Sequence, residues 1–250
     1  MFHELGHVLE LSMTRLETGK VITVLQKGET NAAFCLHHFI SYSLKSNGSL
    51  ILVTLQQSFA HYSNVAAKLG VNLSLAKQNG KVQCVDLMTQ FKNMIVIDQD
   101  SQNCDMDENI MKGVYETIRD HVSNTTGEVV IVIDDISLLM CIGFDPKLIA
   151  HFLQYLAILV KENNQKLSLV LGDRCFEHDS QSEWLSKSLH HKSDVVVSVA
   201  PLSSGFSKDV HGQVSNHLSI EINVSVSCVD FGVDALYYLQ SQWLTLNRCY

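Results

Sequence analysis

The stretch VITVLQKGETNAAFCLHHF, Val21–Phe39, decides the fold. Val21–Leu25 is an unbroken apolar run of strand length, Gln26–Asn31 is polar and contains Gly28, and a helical pattern opens near Ala32. Ala33, Leu36, His37, Ile40 and Leu44 share one helical face, and Asn47-Gly48 supplies a stop signal. Strand, polar loop and helix in this order form the place where α/β proteins carry GxxxxGK[ST], whose backbone N–H groups cradle phosphate at a helix N-terminus. Counted from Gly28, the second Gly falls on Ala33, the Lys on Phe34 and the Ser/Thr on Cys35. The position is kept and the chemistry is gone. Phosphoryl transfer rests on the Lys charge and on Mg²⁺ held through the hydroxyl, so an active ATPase is disfavoured. Lys27 lies before Gly28, at the wrong end of the turn.

Moving outward, Leu50–Leu55 is a second strand, followed by a loop at Gln56–Ser58 and a helix over Phe59–Leu69. Val82–Val85 is a third strand. The acidic stretch Asp98–Glu108 reads as a surface loop ahead of a helix over Ile110–His121, and Asn124–Gly127 as a turn. Val129–Ile133, VVIVI, is the clearest strand of the chain. Pro146–Lys161 is a helix with Pro in its first turn, Leu167–Leu171 a strand, Ser182–Leu189 a short helix and Val195–Val199 a strand. Leu218–Val226 alternates and suggests an antiparallel strand or hairpin. Met1–Glu17 has helical spacing. Apolar strands without alternation, separated by helices, imply a mostly parallel sheet covered on both faces. Nothing in the sequence divides it, so residues 1–250 read as a single α/β domain.

VVIVIDD has the form of a Walker B strand, with Asp134 or Asp135 at its carboxyl end where Mg²⁺ would be held. Such an end is common in parallel sheets, and without the Walker A Lys and Ser/Thr it speaks for RecA-like ancestry more than for metal binding. His3-Glu4-Leu5-Gly6-His7 matches HExxH, the spacing that puts two imidazoles on one helix face for zinc. The longer metzincin pattern fails at Glu10 and Met13, and Gly6 weakens the helix, so an exposed face of a docking helix is the preferred reading over a zinc peptidase. The adjacent pairs His37-His38 and His190-His191 project about 100° apart on a helix. In each pair one ring is expected to be partly buried and the other solvated. A G-x-S-x-G elbow does not occur, leaving a hydrolase triad without an anchor. Leu202–Gln213, LSSGFSKDVHGQ, has the composition of a functional surface loop as much as of a plain connection.

Bulk properties narrow the function. With 46% hydrophobic and 18% charged residues over 250 positions, the chain is globular with a sizeable core. A formal net charge of −8 argues against stand-alone nucleic-acid binding. Seven scattered Cys, none in CxxC, fit reduced thiols better than disulfides or a zinc site. No signal-peptide pattern opens the sequence and no apolar run approaches the ~20 residues of a membrane span.

Several strings resemble the family of sixth subunits of the Elongator complex: MFHEL at Met1–Leu5, His37-His38-Phe39, QSFAHYSNVAAKLGVNL at Gln57–Leu73, VIDDISLL at Val132–Leu139 and GFSKDVHGQ at Gly205–Gln213. The strings at Gln57–Leu73 and Gly205–Gln213 are the most specific. The resemblance covers roughly residues 1–215, and from about 230 to 250 the tail diverges. It implies a RecA-like fold with degenerate Walker motifs, hence no catalytic residues, no cofactor and no metal. It also implies assembly with the fourth and fifth Elongator subunits into a heterohexameric ring with two copies of each. That ring docks on the catalytic subcomplex, binds tRNA in a nucleotide-responsive way and supports formation of 5-methoxycarbonylmethyl and 5-carbamoylmethyl uridine at the wobble position. A cytoplasmic protein, also found in the nucleus, is expected, with no membrane partner. Gln57, Ser58, His61 and Tyr62 in one loop, and Phe206, Lys208, Asp209 and His211 in another, are the expected contacts to ring neighbours or tRNA. The alternative function is an active RecA/KaiC-like ATPase with an atypical phosphate loop.

Overall fold

The computed structural model describes residues 18–89, 91, 104–164, 166–175, 179–202, 212–218 and 224–228. The strands are β1 (Val21–Lys27), β2 (Ser49–Thr54), β3 (Val82–Asp86), β4 (Val129–Ile133), β5 (Leu167–Cys175), β6 (Val195–Ala200), β7 (Gly212–Leu218) and β8 (Val224–Cys228). The helices are α1 (Ala33–Lys45), α2 (Phe59–Lys68), α3 (Leu73–Gln78), α4 (Cys104–Asn124), α5 (Ser137–Cys141), α6 (Pro146–Glu162) and α7 (Ser180–Lys192). The eight strands among the described residues form one sheet in the order β3-β2-β4-β5-β1-β6-β7-β8. Pairing is parallel from β3 through to β6, while β7 runs antiparallel to β6 and β8 antiparallel to β7.

Burial on both faces explains the unbroken apolar strands. Every residue of β4 is buried, with Ile131 and Ile133 facing a cluster that includes Ile118, Leu153 and Leu156, and Val130 and Val132 facing one that includes Leu36, Phe39 and Tyr62. Helices α4, α6 and α7 therefore cover one face, and α1 and α2 the other. Helix α1 departs from an amphipathic pattern, because all ten residues from Phe34 to Ser43 are buried. Its end is the one the sequence marks: Asn47 takes a left-handed φ of 65°, and the Gly48 N–H donates to the Ser43 carbonyl at 3.0 Å. Asp145 caps α6, accepting from the Lys147 N–H, with Pro146 just inside.

Several expectations shift. The segment 104–108, read as loop, already belongs to α4, and α3 and α5 are short helices without a periodic signal. Strand β5 runs past Leu171 to Cys175 through Gly172. Of the antiparallel strand or hairpin expected around Leu218–Val226, the structure has an antiparallel pair, 212–218 and 224–228, the first strand beginning earlier than expected. His37 and His38 are both buried, whereas His190 and His191 are both exposed, so neither pair splits as expected. The HExxH segment, Phe206, Lys208, Asp209 and His211 lie outside the described residues.

Candidate functional site at the carboxyl edge of the sheet

In a parallel sheet, ligands are met at the carboxyl ends of the strands. Here the ends of β1, β5, β4 and β2 lie side by side, with Leu25 beside Asp173, Gln26 beside Arg174, and Val53 beside Ile133. Both degenerate Walker positions are at this edge.

At the Walker A position the loop turns through Gly28, whose φ of +58° suits glycine. The loop is closed by its own side chains. The Ala32 N–H donates to Gln26 Oε1 at 3.2 Å, the Ala33 N–H to Asn31 Oδ1 at 2.9 Å, and the Cys35 N–H to the Ala32 carbonyl at 3.0 Å. The Thr30 hydroxyl is within donating distance of the Lys27 carbonyl at 2.8 Å and the Val199 carbonyl at 3.1 Å, which ties the loop to β6. Three N–H groups at the start of α1, those of Ala32, Ala33 and Cys35, thus point at neutral amide and carbonyl oxygens. Phe34 and Cys35, standing where Lys and Ser/Thr would act, are buried in the core beneath α1. Ala33 is the first helical residue.

At the Walker B position Asp134 is buried, and four donors converge on its carboxylate. Oδ1 accepts from the Leu55 N–H at 2.7 Å; Oδ2 accepts from the Gln56 N–H at 2.9 Å, the Gln57 N–H at 3.2 Å and the Tyr62 hydroxyl at 3.0 Å. Three successive N–H groups around one anion make a nest. Burial pushes the Asp134 carboxyl above the usual range, and the Leu55, Gln57, Gln56 and Tyr62 donors pull it back. Burial likewise raises the Tyr62 hydroxyl, reinforced by Asp134. The backbone behind Asp134 is held as tightly. Its carbonyl oxygen presses on Gly172 of β5, where a Cβ would overlap it, and the Ile136 N–H donates to the Gly172 carbonyl at 2.9 Å.

Asp135, buried on the other side, accepts from the Ser137 N–H at 3.1 Å and from the Ser137 hydroxyl, and lies 3.9 Å from the Arg174 guanidinium. Burial pushes the Asp173 carboxyl up to about 6, with Ser186 partly opposing, and its Oδ2 and the Arg174 Nε have no hydrogen-bond partner. His37 packs against Tyr62 and His61, ring centroids 5.3 Å and 5.8 Å away, and burial followed by the His61 charge pushes it down to about 4. Among the described residues no group of three or more His, Cys, Asp or Glu is placed to hold a metal.

Gln57 and Ser58 are exposed, as a contact loop requires, and Ser58 also caps α2 by accepting from the His61 N–H at 3.3 Å. Tyr62 is corrected: it is 1% exposed and serves the nest, so it is no outward contact. Gln26, Thr30, Asn31 and Gly172, which shape this edge, belong to no motif of the sequence. Asn31 had a legible signal, an Asx side chain just before a helix start; Gln26 had none.

Strand order, the position of the loop after β1 and the aspartate that follows β4 together define a RecA-like fold. The sequence matches the family described as Elongation complex protein 6 over residues 2–222, and the chain belongs to that family, the sixth subunit of Elongator. Curated relatives named Elongator complex protein 6 include those of Xenopus tropicalis, 33% identical over 86% of this chain and 84% of that one, and Homo sapiens, 29% over 86% and 85%. One from Dictyostelium discoideum is 23% identical over 80% and 82%. Among solved structures, an uncharacterized protein of Pyrococcus horikoshii in complex with an unknown peptide superposes with a TM-score of 0.65, covering 98% of this chain and 97% of that one. At 11% identity that likeness speaks to the fold alone.

Proposed function

We propose that this chain is a non-catalytic Elongator subunit. It joins the fourth and fifth subunits in a heterohexameric ring that binds tRNA and supports wobble-uridine modification, in the cytoplasm and the nucleus. Membership of the sixth-subunit family carries the assignment. The closed carboxyl edge supports the non-catalytic part, since phosphoryl transfer needs free donors, a lysine and a metal-holding carboxylate, and each is buried, replaced or engaged here. The modification chemistry then belongs to the catalytic subcomplex, and the ring's response to nucleotide belongs to its other subunits. Lys27, Glu29, Gln57 and Ser58 are exposed along the same edge and form the side offered to a neighbour or to tRNA. Co-expression with the fourth and fifth subunits followed by native mass measurement tests the reading. A complex with two copies of each supports it; a chain that stays alone refutes it. An active ATPase would instead hydrolyse ATP as a purified chain and lose that activity on Asp134→Ala.

A further inference from the structure

We propose that Gln26, Asn31 and Asp134 are positioning residues that stand in for bound nucleotide and hold the carboxyl edge in one shape whether or not nucleotide is present. The inference concerns this chain's own loops and holds independently of the ring assembly.

The two halves of the site are satisfied in complementary ways. Where a phosphate would accept hydrogen bonds from the start of α1, Gln26 Oε1 and Asn31 Oδ1 accept them, at 3.2 Å and 2.9 Å. Where a metal would take the oxygens of Asp134, the main-chain donors of Leu55, Gln56 and Gln57 and the Tyr62 hydroxyl take them. At each half the named groups are already engaged within the chain: the Ala32 and Ala33 N–H groups at one, the Asp134 carboxylate at the other. Gln26 extends from β1, next to β5, and Asn31 from the loop itself, so the acceptors come from within the loop they close. Behind the nest the Asp134 main-chain carbonyl comes so close to Gly172 of β5 that a Cβ there would overlap it.

Opening the Asp134 half strands a buried carboxylate, while opening the loop half breaks two hydrogen bonds nearer solvent, at Ala32 and Ala33. A nucleotide can shift a conformation only by binding one form better than another, and in the closed form the Ala32 and Ala33 N–H groups and the Asp134 carboxylate are already engaged. Lys27, Glu29, Gln57 and Ser58 are thereby presented in a fixed array. Such an array suits a protein partner whose grip on this edge does not depend on nucleotide bound here.

Hydrogen exchange of the full chain, read on peptides covering residues 26–35 and 53–62, tests this with and without millimolar Mg·ATP. The wild type is expected to show the Ala32 and Ala33 amides and the Leu55, Gln56 and Gln57 amides protected, and unchanged by nucleotide. Gln26→Ala with Asn31→Ala should speed exchange at 32–33 about tenfold and leave 55–57 as they were; Asp134→Asn should do the reverse. Protection gained on adding Mg·ATP, or wild-type amides that already exchange as fast as in the variants, would overturn the proposal. The comparison with and without nucleotide needs no variant, so a poorly folding substitution does not blunt it.

Discussion

The two Walker-like positions at the carboxyl edge are satisfied by opposite routes. At the start of α1 stand Ala33, Phe34 and Cys35, and the Ala32 and Ala33 N–H groups donate to the side-chain oxygens of Gln26 and Asn31. At the end of β4 stands Asp134, whose carboxylate gathers four donors from the β2–α2 loop and Tyr62. The difference is one of energy. Neutral amides near solvent can be satisfied cheaply by any nearby oxygen, whereas a buried carboxylate is tolerated only with several strong donors. Asp134, the residue that fits the Walker B form, is therefore itself a structural anchor.

That contrast ranks the substitutions. Gly172→Ala should be the most damaging, on the order of 3 kcal/mol or more by overpacking, since its Cβ would also sit 2.8 Å from the Asp134 carbonyl carbon; urea unfolding measures it. Asp134→Ala should cost about 2–3 kcal/mol, because it strands the buried Tyr62 hydroxyl and the Leu55 N–H. A loss no larger than that of Asn31→Ala would erase the asymmetry between the two ends.

Acid should weaken the α1 side specifically. His37 and His38 are both pushed down to about 4 from an ordinary 6.5, chiefly by burial, so the folded chain keeps them neutral. Their stabilisation is complete above the unfolded pKa and is lost as pH falls toward 4, because only the unfolded chain takes up the protons. Between pH 7 and 5 this amounts to about 2 kcal/mol per histidine. Asp173 works the other way: pushed up to about 6 by burial, it favours the fold at low pH and loses that contribution as pH rises through 6. Over the same interval it offsets about 1 kcal/mol. Replacing His37 by Gln should flatten the slope of stability against pH, read by unfolding at several pH values. Asn31→Ala should be the mildest change, about 0.5–1 kcal/mol, as for loss of a helix cap.

Much of the sheet was legible because burial on both faces writes itself as unbroken apolar runs. Val129–Ile133, Leu50–Leu55 and Val21–Leu25 all fall within a residue or two of their strands. The helices α3 and α5 left no such trace, being too short to show a period. Gly172 carried the one sign of a close approach inside a strand, an isolated glycine after an apolar run, yet its partner across the sheet cannot be inferred from one sequence. At the site, the losses at 33–35 were visible as letters. The gains were not, because Gln26, Thr30 and Asn31 acquire their roles only through loop geometry, and Tyr62 reads as an accessible loop residue until its hydroxyl is placed on Asp134.

The closed nucleotide site is tested most directly by titrating Mg·ATP into the purified full chain and recording heat. A site closed on both sides requires no saturable binding at millimolar nucleotide, in the wild type and in Asp134→Ala alike. Saturable micromolar binding that disappears on Asp134→Ala would contradict it.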